Sequence, residues 1–199
     1  MKVAAKTLAS ADECKKRFAL LNKPHILPLI TFVNKIRQKL CPWHVPYFDP
    51  SDGGIKAQCL FVFESPGPKA VVSGFISRDN PDETAKNFFE LNNDVSLPRD
   101  KTVIWNIVPW YIGMGQKITR AKRQEGLKYL KELISPSILS ELKVVVLVGK
   151  EARKIKGDID SKRFKILEYY HPSPKALNTN GTRREDIRGC LEKVKTIIS

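Results

Sequence analysis

The segment Gln58–Lys69, QCLFVFESPGPK, decides how the rest of the chain is read. Cys59 to Phe63 is an unbroken apolar run, and a strand buried on both faces reads as such a run rather than as an alternation of apolar and polar residues. The run stops at Glu64, and Ser65-Pro66-Gly67-Pro68 forces a bend. A buried strand therefore hands a carboxylate to a rigid turn. In open α/β sheets ligands gather beyond the carboxyl ends of strands, so Glu64 either stands at the rim of a cleft or simply caps the turn.

Working outward, the first strand is expected over Ala57 to Glu64. Three more follow at Thr102–Ile107 (TVIWNI), Lys143–Gly149 (KVVVLVG) and Phe164–Tyr170. Helical spacing appears at Ser10–Leu21, Ile26–Leu40, Ile118–Ile134, Lys150–Lys156 and from Thr182 onward, where Ile187, Leu191, Val194 and Ile198 share a face. Asn80, Pro81 and Glu83 read as cap, first-turn proline and capping-box acid of a helix starting at Pro81. Pro136 begins a short helical turn to Leu142. Cys41–Gly54 and Ser73–Asn80 read as ordered loops. Trp43, Tyr47 and Phe48 in the first, and Phe75 in the second, either plug the core or offer a ring to a ligand.

Strands alternating with helices predict an α/β fold, a three-layer αβα sandwich around a four-stranded parallel sheet. The chain is expected to be one domain over 1–199, with a helical preface and loop at 1–56 and the α/β core at 57–199. Glu64, Asn106 and His171 then fall at carboxyl ends of three different strands, so topology brings them to one edge. Asn106 near the end of a buried strand must satisfy a carbonyl and an amide, through backbone or through a ligand. His171 is held by Pro172 and Pro174 and can donate to developing negative charge. Gly149 opens a strand-to-helix turn that either lets backbone amides approach a phosphate or serves close packing.

The formal charge is +14, with Lys and Arg spread along the whole chain, so a polyanion is the expected partner, nucleic acid first and an anionic membrane second. Cys14, Cys41, Cys59 and Cys190 occur singly, without the paired spacing of a zinc or redox site, and are expected to be reduced thiols. The N-terminus lacks a signal-peptide run and no apolar stretch is long enough to span a bilayer, so a cytoplasmic protein with no membrane association is expected. No spare heptad or apolar helix face suggests association, and a monomer is expected.

Four segments taken together, ESPGP, SGFISRDN, the strand ending in WNIVPW, and HPSP, resemble the uracil-DNA glycosylase superfamily over about Gln58 to Asn178. The resemblance implies excision of uracil or another deaminated base from DNA by base flipping and N-glycosidic hydrolysis, as in base excision repair. It implies that Glu64 activates water, His171 stabilises the departing base, Phe75 stacks on the base and Asn106 pairs with its edge. Ser65, Gly67, Lys69, Gly149, Ser173 and Lys175 would meet the DNA backbone. Ser65 stands where some branches carry Asp or Asn, so Asp79 and Asp82 are alternative carboxylates. A branch with a comparable Glu holds an iron-sulfur cluster on four cysteines, whose spacing is absent here; no cofactor and no metal are expected. Two other functions fit the same fold: a non-catalytic nucleic-acid-binding module, and a nucleoside or nucleotide hydrolase.

Overall fold

Every residue of Cys59–Phe63, Thr102–Asn106 and Val144–Val148 is buried, as strands covered on both faces must be. The computed structural model describes residues 4–40, 45–159, 162–179 and 181–199. The elements in chain order are α1 (Ala11–Phe18), α2 (Leu27–Lys39), β1 (Tyr47–Phe48), β2 (Cys59–Phe63), α3 (Pro68–Ser73), β3 (Phe75–Ile76), α4 (Glu83–Asp94), β4 (Thr102–Asn106), α5 (Arg120–Leu133), β5 (Val144–Val148), α6 (Gly149–Arg153), β6 (Lys165–Tyr169), α7 (Pro174–Asn178) and α8 (Arg183–Ile198).

The four long strands form one parallel sheet in the order β4-β2-β5-β6, the α/β architecture expected. The chain steps from β2 to one side for β4, then crosses to the other side for β5, so the direction of winding reverses between β2 and β5. Loops part at such a reversal and leave a crevice beyond the carboxyl ends. Edge strand β6 is only partly buried and carries Lys165 and Glu168, charges that discourage pairing with another chain.

Register assigns the two faces. Phe63 lies level with Asn106 and Val62 level with Trp105, and parallel neighbours at one level share a face. On one face Phe61 and Phe63 pack edge-on against Phe88 of α4, at 5.0 and 5.3 Å between ring centroids. On the other, Trp105 stacks on Phe48 of β1 at 4.4 Å and meets Phe32 of α2 at 5.6 Å. Trp105 is fully buried, and truncating such a side chain costs about 3–5 kcal/mol.

A buried ionic cluster ties the N-terminal helix to the core. Arg17 of α1 donates to Asp49 at 2.6 Å and to Asp79 at 2.9 Å, while Arg99 reaches Asp49, Asp52 and Asp79 at 2.9, 2.7 and 2.8 Å. Burial pushes the Asp49 carboxyl up, but Arg99 and Arg17 outweigh it and hold the group below the usual carboxylate range.

Several local expectations are corrected. The helix expected from Pro81 begins at Glu83, because Asp82 rather than Asn80 accepts the Ala85 N–H, at 2.9 Å. Asn80 instead accepts from Ser73 Oγ at 2.7 Å and donates to the Phe75 carbonyl at 2.9 Å. The two expected loops contain β1 and β3, which pair in parallel, and α3 fills the stretch before β3. The helical turn expected over Pro136–Leu142 is a set of turns, and α6 stops at Arg153. Phe48 takes the core option. Trp43 and Cys41 lie outside the described residues, as does the question of how they pack.

Cys59 and Cys190 are buried thiols, and burial pushes Cys190 up to about 11. Among the described residues no helix is long and apolar enough to cross a membrane.

Candidate active site

The carboxyl edge of the sheet opens into two adjoining cavities. The first, about 330 Å³, lies on the α4 face, lined among others by Phe63, Ile104 and Asn106 from the strands, Ser65 and Gly67 from the turn after β2, Lys69 from α3, Asp82 and Phe88 from α4 and its cap, and His171. The second, about 540 Å³, is lined by Glu64, Gly149, Lys150, Arg153, Lys154, Tyr170, His171 and Ala176. His171 borders both.

Glu64 follows Phe63 and, by strand alternation, turns away from the cavity that Phe63 lines. Its Oε1 lies 3.3 Å from the backbone nitrogen of Glu151, which donates to it. Gly149 makes this approach feasible: it has φ +86°, and a Cβ there would sit 3.0 Å from Glu64 Oε1 and 3.2 Å from the His171 ring. Close packing is thus a documented role of this glycine.

His171 packs edge-on against Phe63 at 5.6 Å. Burial pushes its pKa below the ordinary 6.5, opposed by the nearby negative charges of Glu64 and Asp82. The shift favours the neutral ring, which has one N–H to donate. Asn87 of α4 donates to the Pro172 carbonyl at 2.9 Å and pins the segment that carries the imidazole.

Asn106 is 3% exposed, and its Oδ1 is buried without a hydrogen-bond partner. An unpaired buried amide oxygen costs about 1–3 kcal/mol, and a ligand donor in the first cavity would relieve it.

Other predicted residues stand elsewhere. Phe75 is fully buried, 4.6 Å from the ring of Phe18 in α1, and does not line the first cavity; Ile76, the next residue, does. The ring is a core plug and not a stacking surface in this conformation. Asp79 is buried in the ionic cluster, paired with Arg17 and Arg99, and so is not a free carboxylate of the site. Asp82 does line the first cavity while capping α4. Ser173 caps α7, accepting from Ala176 N at 3.4 Å, and Lys175 lies exposed on that helix; neither is among the residues lining these two cavities. Asn80, read in the sequence only as a cap, lines the first cavity; Asn87 and Tyr170 escaped sequence reading, since an isolated Asn or Tyr carries no local signal.

The family model described as the uracil DNA glycosylase superfamily matches residues 50–195. The chain belongs to that superfamily. The match spans both cavities and includes all the strands of the large sheet. Among solved structures similar to this member of the superfamily, mimivirus uracil-DNA glycosylase has 15% sequence identity and a TM-score of 0.48, covering 89% of this chain and 79% of that one. A mimivirus UNG with a Tyr-to-Phe substitution, in complex with UGI, has 16% identity and a TM-score of 0.47, covering 88% and 80%. No curated protein matches the chain. Among the described residues no group of His, Cys, Asp or Glu is placed to hold a metal ion.

Proposed function

We propose that the protein is a monofunctional DNA glycosylase of base excision repair that removes uracil or another deaminated base, acting as a monomer in the cytoplasm. The observation that carries this reading is the partnerless Oδ1 of Asn106 in a cavity bordered by His171, with Glu64 on the other side of that imidazole. A uracil-like edge offers an N–H to Oδ1 and a carbonyl to the amide N–H of the same side chain. The base would fill the first cavity, its sugar would lie by His171, and the N-glycosidic bond would cross between them.

In the reaction the C–N bond breaks with its electron pair leaving on the base. The neutral His171 donates a hydrogen bond to the carbonyl oxygen where that charge collects, which is worth about 3–4 kcal/mol for a well-placed donor. The sugar cation is stabilised by the Glu64 carboxylate, which also orients water; the water oxygen bonds to the anomeric carbon and its proton passes to Glu64. The positive surface supplies sequence-independent affinity for the strand.

The test uses a labelled oligonucleotide with one uracil, hypoxanthine or xanthine, followed by alkali. Scission is expected with at least one base, and Glu64→Gln is expected to lower the single-turnover rate by about 10²–10⁴-fold. A loss with Asp82→Asn and not with Glu64→Gln would transfer the water to Asp82. Tight binding without scission on every base identifies a binding module, and base release from free nucleosides a nucleoside hydrolase.

A further inference from the structure

The second cavity contains more positive charge than Glu64 requires. Glu151, beside it, is already matched: it accepts from Arg123 at 2.7 Å and from Lys154 at 2.5 Å. Among the described residues Lys150 and Arg153 have no such acidic partner, and the Nε of Arg153 is buried without a hydrogen-bond partner. The Arg153 guanidinium lies 4.8 Å from the centroid of the Tyr170 ring, and that of Arg183 lies 4.6 Å from the same centroid. Arg183 is further fixed by donating to the Ala176 carbonyl at 2.6 Å. Tyr170 is a large aromatic left 40% exposed, one residue before His171.

We infer that Arg153 and Arg183, held on Tyr170, form a clamp for one phosphodiester next to the flipped nucleotide. The inference rests on the reading that the chain acts on DNA and adds the place and the residues at which the strand is gripped. A guanidinium presents a planar fork that matches phosphate oxygens, and packing on a ring removes rotamer freedom before the ligand arrives. The partnerless Nε of Arg153 is a donor directed to no protein acceptor. Because His171 borders both cavities, a nucleotide with its base in the first and its sugar at His171 extends a phosphate into the second.

The experiment compares the full chain with Arg153→Gln and Tyr170→Leu on uracil oligonucleotides carrying a neutral methylphosphonate at the phosphate 5′ or 3′ of the uracil nucleotide. For each variant half-saturation is expected to weaken about tenfold, with the slope of log affinity against log salt reduced by about one for the lost arginine. The plateau single-turnover rate should stay within about twofold. At one of the two positions methylphosphonate should weaken the wild type by a similar factor and Arg153→Gln no further. The same methylphosphonate penalty in both proteins at both positions would overturn the clamp, as would variants that lower the plateau rate and leave half-saturation unchanged. Inorganic phosphate should displace DNA no better than chloride at equal ionic strength; displacement at low phosphate would mean a site for the free anion and not for the strand. If no base is released from any substrate, the glycosylase reading fails while affinity, salt slope and methylphosphonate penalty still decide the clamp.

Discussion

Glu64 Oε1 lies 3.3 Å from the backbone nitrogen of Glu151, so the carboxylate at the end of β2 is held by the turn of helix that follows β5. The two residues sit on either side of the reversal in strand order, and their contact fixes the width of the crevice there. Gly149 has φ +86°, and a Cβ there would press on Glu64 Oε1 at 3.0 Å and the His171 ring at 3.2 Å, so that one of them must give way. Gly149→Ala is expected to cost about 1–2 kcal/mol from the left-handed backbone alone. It should also displace Glu64 or His171, lowering single-turnover base release by more than about tenfold. Thermal melting and kinetics on the same preparation separate the two effects.

Asn106→Leu removes an amide whose oxygen has no partner and keeps the branching and the number of heavy atoms. Stability should hold or rise by up to about 1 kcal/mol, because an unpaired buried polar group is replaced by an apolar one. Base release should fall by about 10²-fold or more if this amide reads the base edge. Urea unfolding beside single-turnover kinetics checks both; a variant that keeps its activity removes Asn106 from recognition.

His171 gives a pH dependence of definite sign. Its pKa is lowered in the fold by burial, so on acidification the unfolded chain takes up this proton first, and folding stability falls as pH drops below about 6.5. Above that value both states hold the ring neutral and the contribution vanishes. His171→Gln should flatten the stability curve between neutral pH and the folded-state pKa, measured by urea midpoints across that range. The rate of base release should fall in the same direction only if the neutral ring is the form that acts.

Asp49 accepts from Arg17, Arg99 and Ser77 in the interior. Asp49→Asn removes one partner of a buried network and leaves guanidinium charge uncompensated, at an expected cost of about 3–5 kcal/mol. Its folded-state pKa is lowered, so the stabilisation in the wild type is present above the ordinary carboxylate range and is lost as pH falls through the folded value. Chemical denaturation of wild type and variant at neutral and acidic pH should show the gap narrowing in acid.

The sheet was legible in the sequence because Cys59–Phe63 and Val144–Val148 are apolar runs bounded by turn residues, and such runs have few other uses. The positions of Glu64, Asn106 and His171 at strand ends followed from that reading. Their division between two cavities did not: it depends on Phe63 lying level with Asn106, which only the pairing register shows. Phe75 was open to either role because its partner, Phe18, comes from a distant helix. Asp79 read as a free acid beside Asp82, since the arginines that pair with it are remote in sequence. Asn80 has a cap's propensity, but its side chain is engaged by Ser73 and the Phe75 carbonyl, contacts no local pattern shows, and Asp82 caps α4 instead.

The strand order also governs assembly of the chain. β2 is made early but lies inside the sheet, with β4 on one edge and β5 on the other. Until Val144 and its neighbours leave the ribosome, one row of β2 amides and carbonyls stays open beside an apolar surface, where a second nascent chain can add. The carboxyl edge that carries both cavities and the open row of β2 are thus products of the same crossover, and overexpression should be most forgiving at low temperature or with chaperones that shield that strand.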